Sequence, residues 1–329
     1  MIKKTYTFLR VKLPYLTISF AILFSLNLNS QEIAEKFDKE VSIELENGTL
    51  YGSMLVPKSK KKIPIVLLIP GSGRTDRNCN NQGLNTNSFI YLSEALYKKG
   101  IASLRIDKRT SGKSLNTFYS STTIKELKFN DFISDVKIWI DTLKSNDLFS
   151  DIIVAGHSQG ALVGLVASID KKVDKFISIS GAGRSIDRIM LDQFNAQLPL
   201  YADSTKMFLD SLKNGKYMED APSFLIQTFP EYLVDFLKEW FAYDPVLLIK
   251  ELKCPVLIVN GDNDIQISQK EAQLLHEANK KSQLLIIENM NHILKNAPRD
   301  RQKNYETYSM ENLPLNKVFV KKMISFIKK

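Results

Sequence analysis

The chain is poor in the residues that build metal and redox centres: its 329 residues include two cysteines, three histidines and two tryptophans. No HExxH stretch and no Cys/His cluster occurs, so the sequence calls for no metal. No GxGxxG follows an apolar run either, which removes the dinucleotide-binding class and leaves no cofactor to expect. Cys79 and Cys254 should fall at opposite ends of the sheet derived below, so two free, mostly buried thiols are expected rather than a disulfide. Acidic excess is also missing, with 45 Lys and Arg against 36 Asp and Glu, a net charge of +9. The basic residues are scattered apart from short runs, and no basic stripe interleaves with aromatics. Nucleic acid is therefore excluded as a partner. No fixed-period repeat and no Gly/Ser/Pro-rich linker divides the chain, so residues 31–329 read as one domain.

Long apolar runs are scarce too, except near the start. Lys3, Lys4, Arg10 and Lys12 precede an apolar stretch from Leu13 to Leu28, followed by Asn29, Ser30 and Gln31. A basic start, an apolar stretch and a small residue at the cut describe a signal peptide over residues 1–30. A membrane anchor needs roughly 20 apolar residues, and Pro14, Thr17, Ser19, Ser25 and Asn27 interrupt this one. The expectation is a secreted or periplasmic protein with no stable membrane anchor after cleavage. Without residues 1–30, 41 basic residues face 36 acidic ones, a net of +5.

What the chain does contain is an alternation of strands and helices. Val41–Leu45 and Thr49–Val56 flank Asn47-Gly48, the strongest short hairpin signal. Ile63–Ile69 is a continuous apolar run ending in Pro70-Gly71-Ser72-Gly73, as suits a strand covered on both faces. A helix over Phe89–Lys99 stops at Gly100, and Ile101–Ile106 is the next strand. A helix over Asn130–Leu143, a strand at Ile152–Ala155, a helix at Ala161–Ser168 and a strand at Phe176–Ile179 follow. Residues 182–250 then break the rhythm with aromatics, leucines and acids at helical spacing, which reads as a helical cap insertion. Pro255–Val259, Gln269–Asn279, Leu284–Ile287 and Val318–Lys328 restore it. The pattern predicts an α/β fold with a mostly parallel central sheet flanked by helices.

The chemistry gathers at Gly156-His157-Ser158-Gln159-Gly160. The bare Gly-x-Ser-x-Gly pattern is weak, but here a β-rich run precedes it and a small-residue helix follows. A strand turning this sharply into a helix strains the serine and exposes its Oγ, making Ser158 the candidate nucleophile. A serine hydroxyl needs a base. His157 sits inside the elbow with its side chain pointing away from that of Ser158, and His276 falls within a helix. His292 lies just after a strand at the sheet edge that carries the elbow, so it is the base by elimination. The imidazole needs an acid to fix its tautomer. Asp262 and Asp264 both follow the strand Pro255–Val259; Asp264 has more room to turn toward the histidine and is favoured, with Asp262 bracing the loop. The oxyanion would be held by the backbone N–H groups of Gln159 and of Ser72, with Gly73 as the neighbouring choice.

Here the sequence resembles the bacterial α/β-hydrolase esterases that carry a Pro-Gly-Ser-Gly…Thr-Asp-Arg-Asn segment after the third strand. That segment is Pro70-Gly71-Ser72-Gly73-Arg74-Thr75-Asp76-Arg77-Asn78, and Arg105–Ser114 is similar to the family as well. The chain is also similar to serine aminopeptidase-type hydrolases. Arg74 stands where related sequences often carry proline, and Thr110 where glycine is usual. Asp76, Arg77, Asp107 and Arg109 read as a charge network under the loops; the sharper alternative gives Arg74 or Arg77 a substrate carboxylate to bind. The resemblance implies acyl transfer through an acyl-enzyme on a small ester or acyl substrate. The alternatives are a serine aminopeptidase or amidase, for which Glu219, Asp220, Glu231 and Asp235 are candidate amine anchors, and a non-catalytic binding protein on the same fold.

Overall fold

The computed structural model describes residues 37–118 and 126–329; the expected export segment, residues 1–30, lies outside them. Eight strands form one sheet in the order β1-β2-β4-β3-β5-β6-β7-β8. The hairpin of β1 (Lys39–Leu45) and β2 (Gly48–Leu55) joins antiparallel to the rest. The other six strands run parallel: β3 (Ile63–Ile69), β4 (Ala102–Ile106), β5 (Phe149–His157), β6 (Lys175–Ile179), β7 (Val256–Gly261) and β8 (Gln283–Ile287). Between the early strands fall helices α1 (Ser88–Tyr97), α2 (Gly112–Phe118), α3 (Phe129–Lys144) and α4 (Gln159–Lys171). Between β6 and β7 lie α5 (Ile186–Gln197), α6 (Ala202–Lys213), α7 (Ser223–Thr228), α8 (Val234–Phe241) and α9 (Pro245–Leu248). The chain continues through α10 (Gln269–Ala278) and α11 (Arg301–Glu306) and reaches α12 (Lys317–Ile327).

The sheet is apolar on both faces because helices cover both. Along β3, Ile65, Leu67 and Ile69 pack with Phe132 and Val136 of α3 and Leu162 of α4. The alternate residues Val66 and Leu68 pack with Phe89 and Leu92 of α1 and Phe319 and Met323 of α12. A strand buried on both sides needs no polar alternation, and β3 shows none. The sheet's C-terminal edge is thereby left for the loops that carry the site.

The structure departs from the sequence reading in a few places. The hairpin turn is Glu46-Asn47, and Gly48 already pairs with Leu45. Glycine fits there both because its φ of 157° is one that L side chains rarely adopt and because a Cβ would meet the Phe118 ring at 2.6 Å. Strand β5 starts at Phe149, earlier than the expected Ile152, because Ser150 and Asp151 hide its first residues from an apolar-run reading. Helices α2 and α11 were not predicted, being short and largely polar. The two cysteines are free and mostly buried, as expected.

Candidate active site

Ser158 sits between the end of β5 and the start of α4 with φ 55° and ψ −121°, a conformation L-residues rarely adopt. The close packing around it explains the flanking glycines. A Cβ at Gly156 would lie 2.1 Å from the carbonyl oxygen of Gly160, and one at Gly160 would lie 2.4 Å from that of Ile69. All of these obstacles are backbone, so they cannot swing aside. The turn presses α4 against the end of β3 and lifts Ser158 into the cleft. Gln159, as first residue of the helix, has an N–H with no intrahelical acceptor, and the helix dipole favours negative charge beside it.

The loops after β7 and β8 bring the expected acid and base together. His292 Nδ1 lies 2.8 Å from Asp264 Oδ2 and donates to it. The other carboxylate oxygen, Asp264 Oδ1, accepts from the amides of Gln266 and Ile267, each at 2.9 Å. Burial alone would raise the Asp264 carboxyl, whose side chain is fully covered. The charge and hydrogen bond of His292, with those two amides, outweigh burial and hold it below the usual carboxylate range. Asp262 instead accepts from Asn289 N–H at 2.7 Å and from Arg299 Nη2 at 2.6 Å, so it braces the loop.

His157 was read from sequence only as pointing away from Ser158. The structure places it behind His292: its Nε2–H donates to the backbone carbonyl of His292 at 2.8 Å, and the two rings lie 4.7 Å apart. Burial, then the proximity of His292, pulls its pKa down to about 3, so it is neutral. Its one sequence signal was alternation along β5, which carries the ring to the face where the β8 loop crosses.

The remaining sequence candidates divide. Ser72 lines the cleft beside Ser158. Arg77 does not line it: Nε and Nη2 hold Asp107 Oδ2 at 2.9 and 2.5 Å, and Nη1 donates to Ser53. That occupies its guanidinium and leaves it no free face for a substrate carboxylate. Arg109 pairs with Asp135, and Asp76 accepts from the amides of Asn78 and Asn80, so the expected network is two separate pairs and a loop cap. Arg74 is exposed outside the cleft lining, and the acids Glu219, Asp220, Glu231 and Asp235 are absent from it too.

The cleft has two lobes that meet at Ser72, Ser158 and Gln266. One has an apolar wall of Leu162, Ile186, Met190, Trp240, Pro245 and Ile267, several of them from the helical stretch between β6 and β7, facing Gln159, Arg184 and Gln193. The other sets Thr75, Asn81, Thr86, Ser88 and Tyr308 beside Leu84, Ile293 and Leu294. Arg184, the charged side chain of the first lobe, is tied to Glu271 and Asp192. Among the described residues no Asp or Glu lines either lobe, and no cluster of three or more His, Cys, Asp or Glu is set to hold a metal.

No family model matches the chain. Over 263 residues it is 27% identical to Esterase EstD of Thermotoga maritima, covering 78% of this chain and 60% of that protein's length. The structure of Est1E from Butyrivibrio proteoclasticus with ferulic acid bound superposes with a TM-score of 0.57 at 18% identity, over 88% of this chain and 100% of that one. The α/β hydrolase GrgF from Penicillium sp. sh18 does so with a TM-score of 0.58 at 15% identity, over 88% of this chain and 98% of that one. With its mostly parallel sheet, the strained serine after β5 and these likenesses, the chain has the α/β-hydrolase fold.

Proposed function

We propose that this chain is an exported serine hydrolase that cleaves carboxylic esters. The carrying observation is the strained Ser158, opening into a cleft shared with His292, whose Nδ1–H is fixed by the buried Asp264 carboxylate. In this reading Ser158 Oγ attacks the ester carbonyl as His292 takes its proton, and the amides of Ser72 and Gln159 hold the oxyanion. The proton then passes from His292 to the departing alkoxide, leaving Ser158 acylated. A water activated by the same imidazole breaks the acyl-enzyme, releasing the acid and restoring the serine. Asp264 stays ionised throughout and stabilises the imidazolium.

The names of the relatives support an ester substrate, and the wall of Leu162, Ile186, Met190 and Trp240 suits an acyl group without charge. An aminopeptidase on the same residues would need an acidic anchor for the substrate ammonium, and none lines the cleft among the described residues. The test is Ser158→Ala assayed on p-nitrophenyl acetate: turnover should fall at least about 1,000-fold with the thermal melt preserved. Undiminished turnover in the folded variant would refute the assignment.

A further inference from the structure

Lys108 is a buried cation that the reaction just described does not use. It follows β4, the parallel neighbour of β3, in which Leu68 pairs with Arg105. Three residues further along the same register, Lys108 arrives beside Gly71. Its Nζ donates to the carbonyl oxygen of Gly71 and, at 2.8 Å, to that of Gly73. Its own backbone is pinned by Ser111, whose Oγ accepts from Lys108 N–H at 3.0 Å and whose N–H donates to Lys108 O at 3.0 Å. The nearby carboxylates are committed elsewhere, Asp107 to Arg77 and Asp135 to Arg109, and the Cys79 thiol is held protonated by burial. Among the described residues no carboxylate lies within ion-pair reach of Lys108.

An unpaired buried ammonium is costly, and burial pulls this one down to about 7. A methionine would fill the space beside Phe132 without that cost. The lysine differs from it in holding two carbonyls. A trans peptide unit is planar, with its C=O and N–H pointing in opposite directions. Turning the Gly71 carbonyl onto Lys108 therefore turns the Ser72 N–H away from Lys108. Gly71 itself abuts the elbow, where a Cβ would lie 3.3 Å from both His157 Nδ1 and Ser158 Cβ, and Ser72 and Ser158 line the same cleft.

We infer that Lys108 is a positioning residue for the oxyanion site: by holding the Gly71 and Gly73 carbonyls beneath the loop, it aims Ser72 N–H into the cleft. This rests on the serine-hydrolase reading above. The test compares wild type, Lys108→Met and Ser158→Ala on p-nitrophenyl acetate, with inhibition by an aryl trifluoromethyl ketone. That ketone adds to the serine and becomes an oxyanion without turning over. Lys108→Met should lower kcat about 100-fold with KM within about threefold, and weaken the ketone by a similar factor. If Lys108→Met does not fold, Lys108→Gln, which keeps a donor without the charge, should show the same kcat-only pattern at smaller size. A folded variant with wild-type kcat and ketone affinity, or one that raises only KM, overturns the assignment of Lys108. If Ser158→Ala is dead and Lys108→Met is unimpaired, only that assignment falls; if Ser158→Ala remains active, both fall.

Discussion

At the residue scale, the two aspartates after β7 divide the work that the sequence left between them. Asp264 meets His292, whereas Asp262 ties the loop to Asn289 and Arg299. Asp264→Asn should therefore lower kcat by about 10³–10⁴-fold through loss of the correct tautomer. Asp262→Asn should cost less than about tenfold, chiefly through stability. Equal losses in the two variants would contradict the assignment. His157 makes a separate prediction in pH. Its folded pKa of about 3 lies below the unfolded value of 6.5, so the unfolded chain binds the extra proton between them. Its contribution to stability is complete above pH 6.5 and is lost as pH falls toward 3, by about 1.4 kcal/mol for each pH unit. His157→Gln should flatten this acid limb in denaturation measured from pH 7 to pH 4. An equally steep limb in that variant would show that other groups produce it. Lys108, depressed from 10.5 to about 7, acts in the separate window above pH 7.

At the element scale, the site depends on how tightly α4 seats against β3. A Cβ at Gly160 would meet the carbonyl oxygens of Ile69 and Pro70 at 2.4 and 2.6 Å, and neither can move without displacing the strand end that leads to Ser72. One turn later, a Cβ at Gly164 would first meet side-chain atoms, Ile69 Cδ1 and Val154 Cγ1 at 3.0 Å and Phe176 Cε2 at 3.5 Å. Gly160→Ala should then cost about 1–3 kcal/mol in stability and much of the activity, and Gly164→Ala distinctly less. A thermal melt and an ester assay on each variant would decide; similar behaviour would contradict this account of the elbow. Element types were legible where burial is two-sided: β3 reads directly from Ile63–Ile69, and α3 from the spacing of Phe132, Val136, Trp139 and Ile140. Helices α2 and α11 were not, because their seats depend on distant partners. Tyr51 N–H bonds to Ser114 Oγ in one, and the Asn304 side chain bonds to the Asn263 carbonyl in the other.

At the scale of the whole molecule, the strained Ser158 and the pairing of His292 with Asp264 were legible because a strained elbow has a local pattern and three histidines permit elimination. The contacts behind them were not. Lys108 reaches the carbonyl of Gly71 because β4 lies beside β3. His157 reaches the carbonyl of His292 because the loop after β8 comes back past β7 and β6 to the end of β5. Spacing along the chain carries no trace of that strand order. The same holds for the lobe whose apolar wall unites Leu162 of α4 with Met190 of α5 and Trp240 of α8. If this lobe receives the acyl group, Met190→Trp should lower kcat/KM for an octanoyl ester well beyond its effect on acetate. A uniform loss across chain lengths would place the acyl group elsewhere. Export makes a further claim on the whole chain: the mature protein collected outside the cytoplasm should begin near Gln31, as read by mass spectrometry of its N-terminal peptide. An intact N-terminus there would contradict cleavage.

Ser158 is proposed to be a nucleophile rather than a strained serine of structural use. The direct measurement is reaction of the folded protein with a fluorophosphonate, followed by peptide mass spectrometry. A single phosphonyl adduct on the peptide containing Ser158, lost in His292→Ala, is the predicted result. Absence of an adduct, or one on another serine, would contradict the claim.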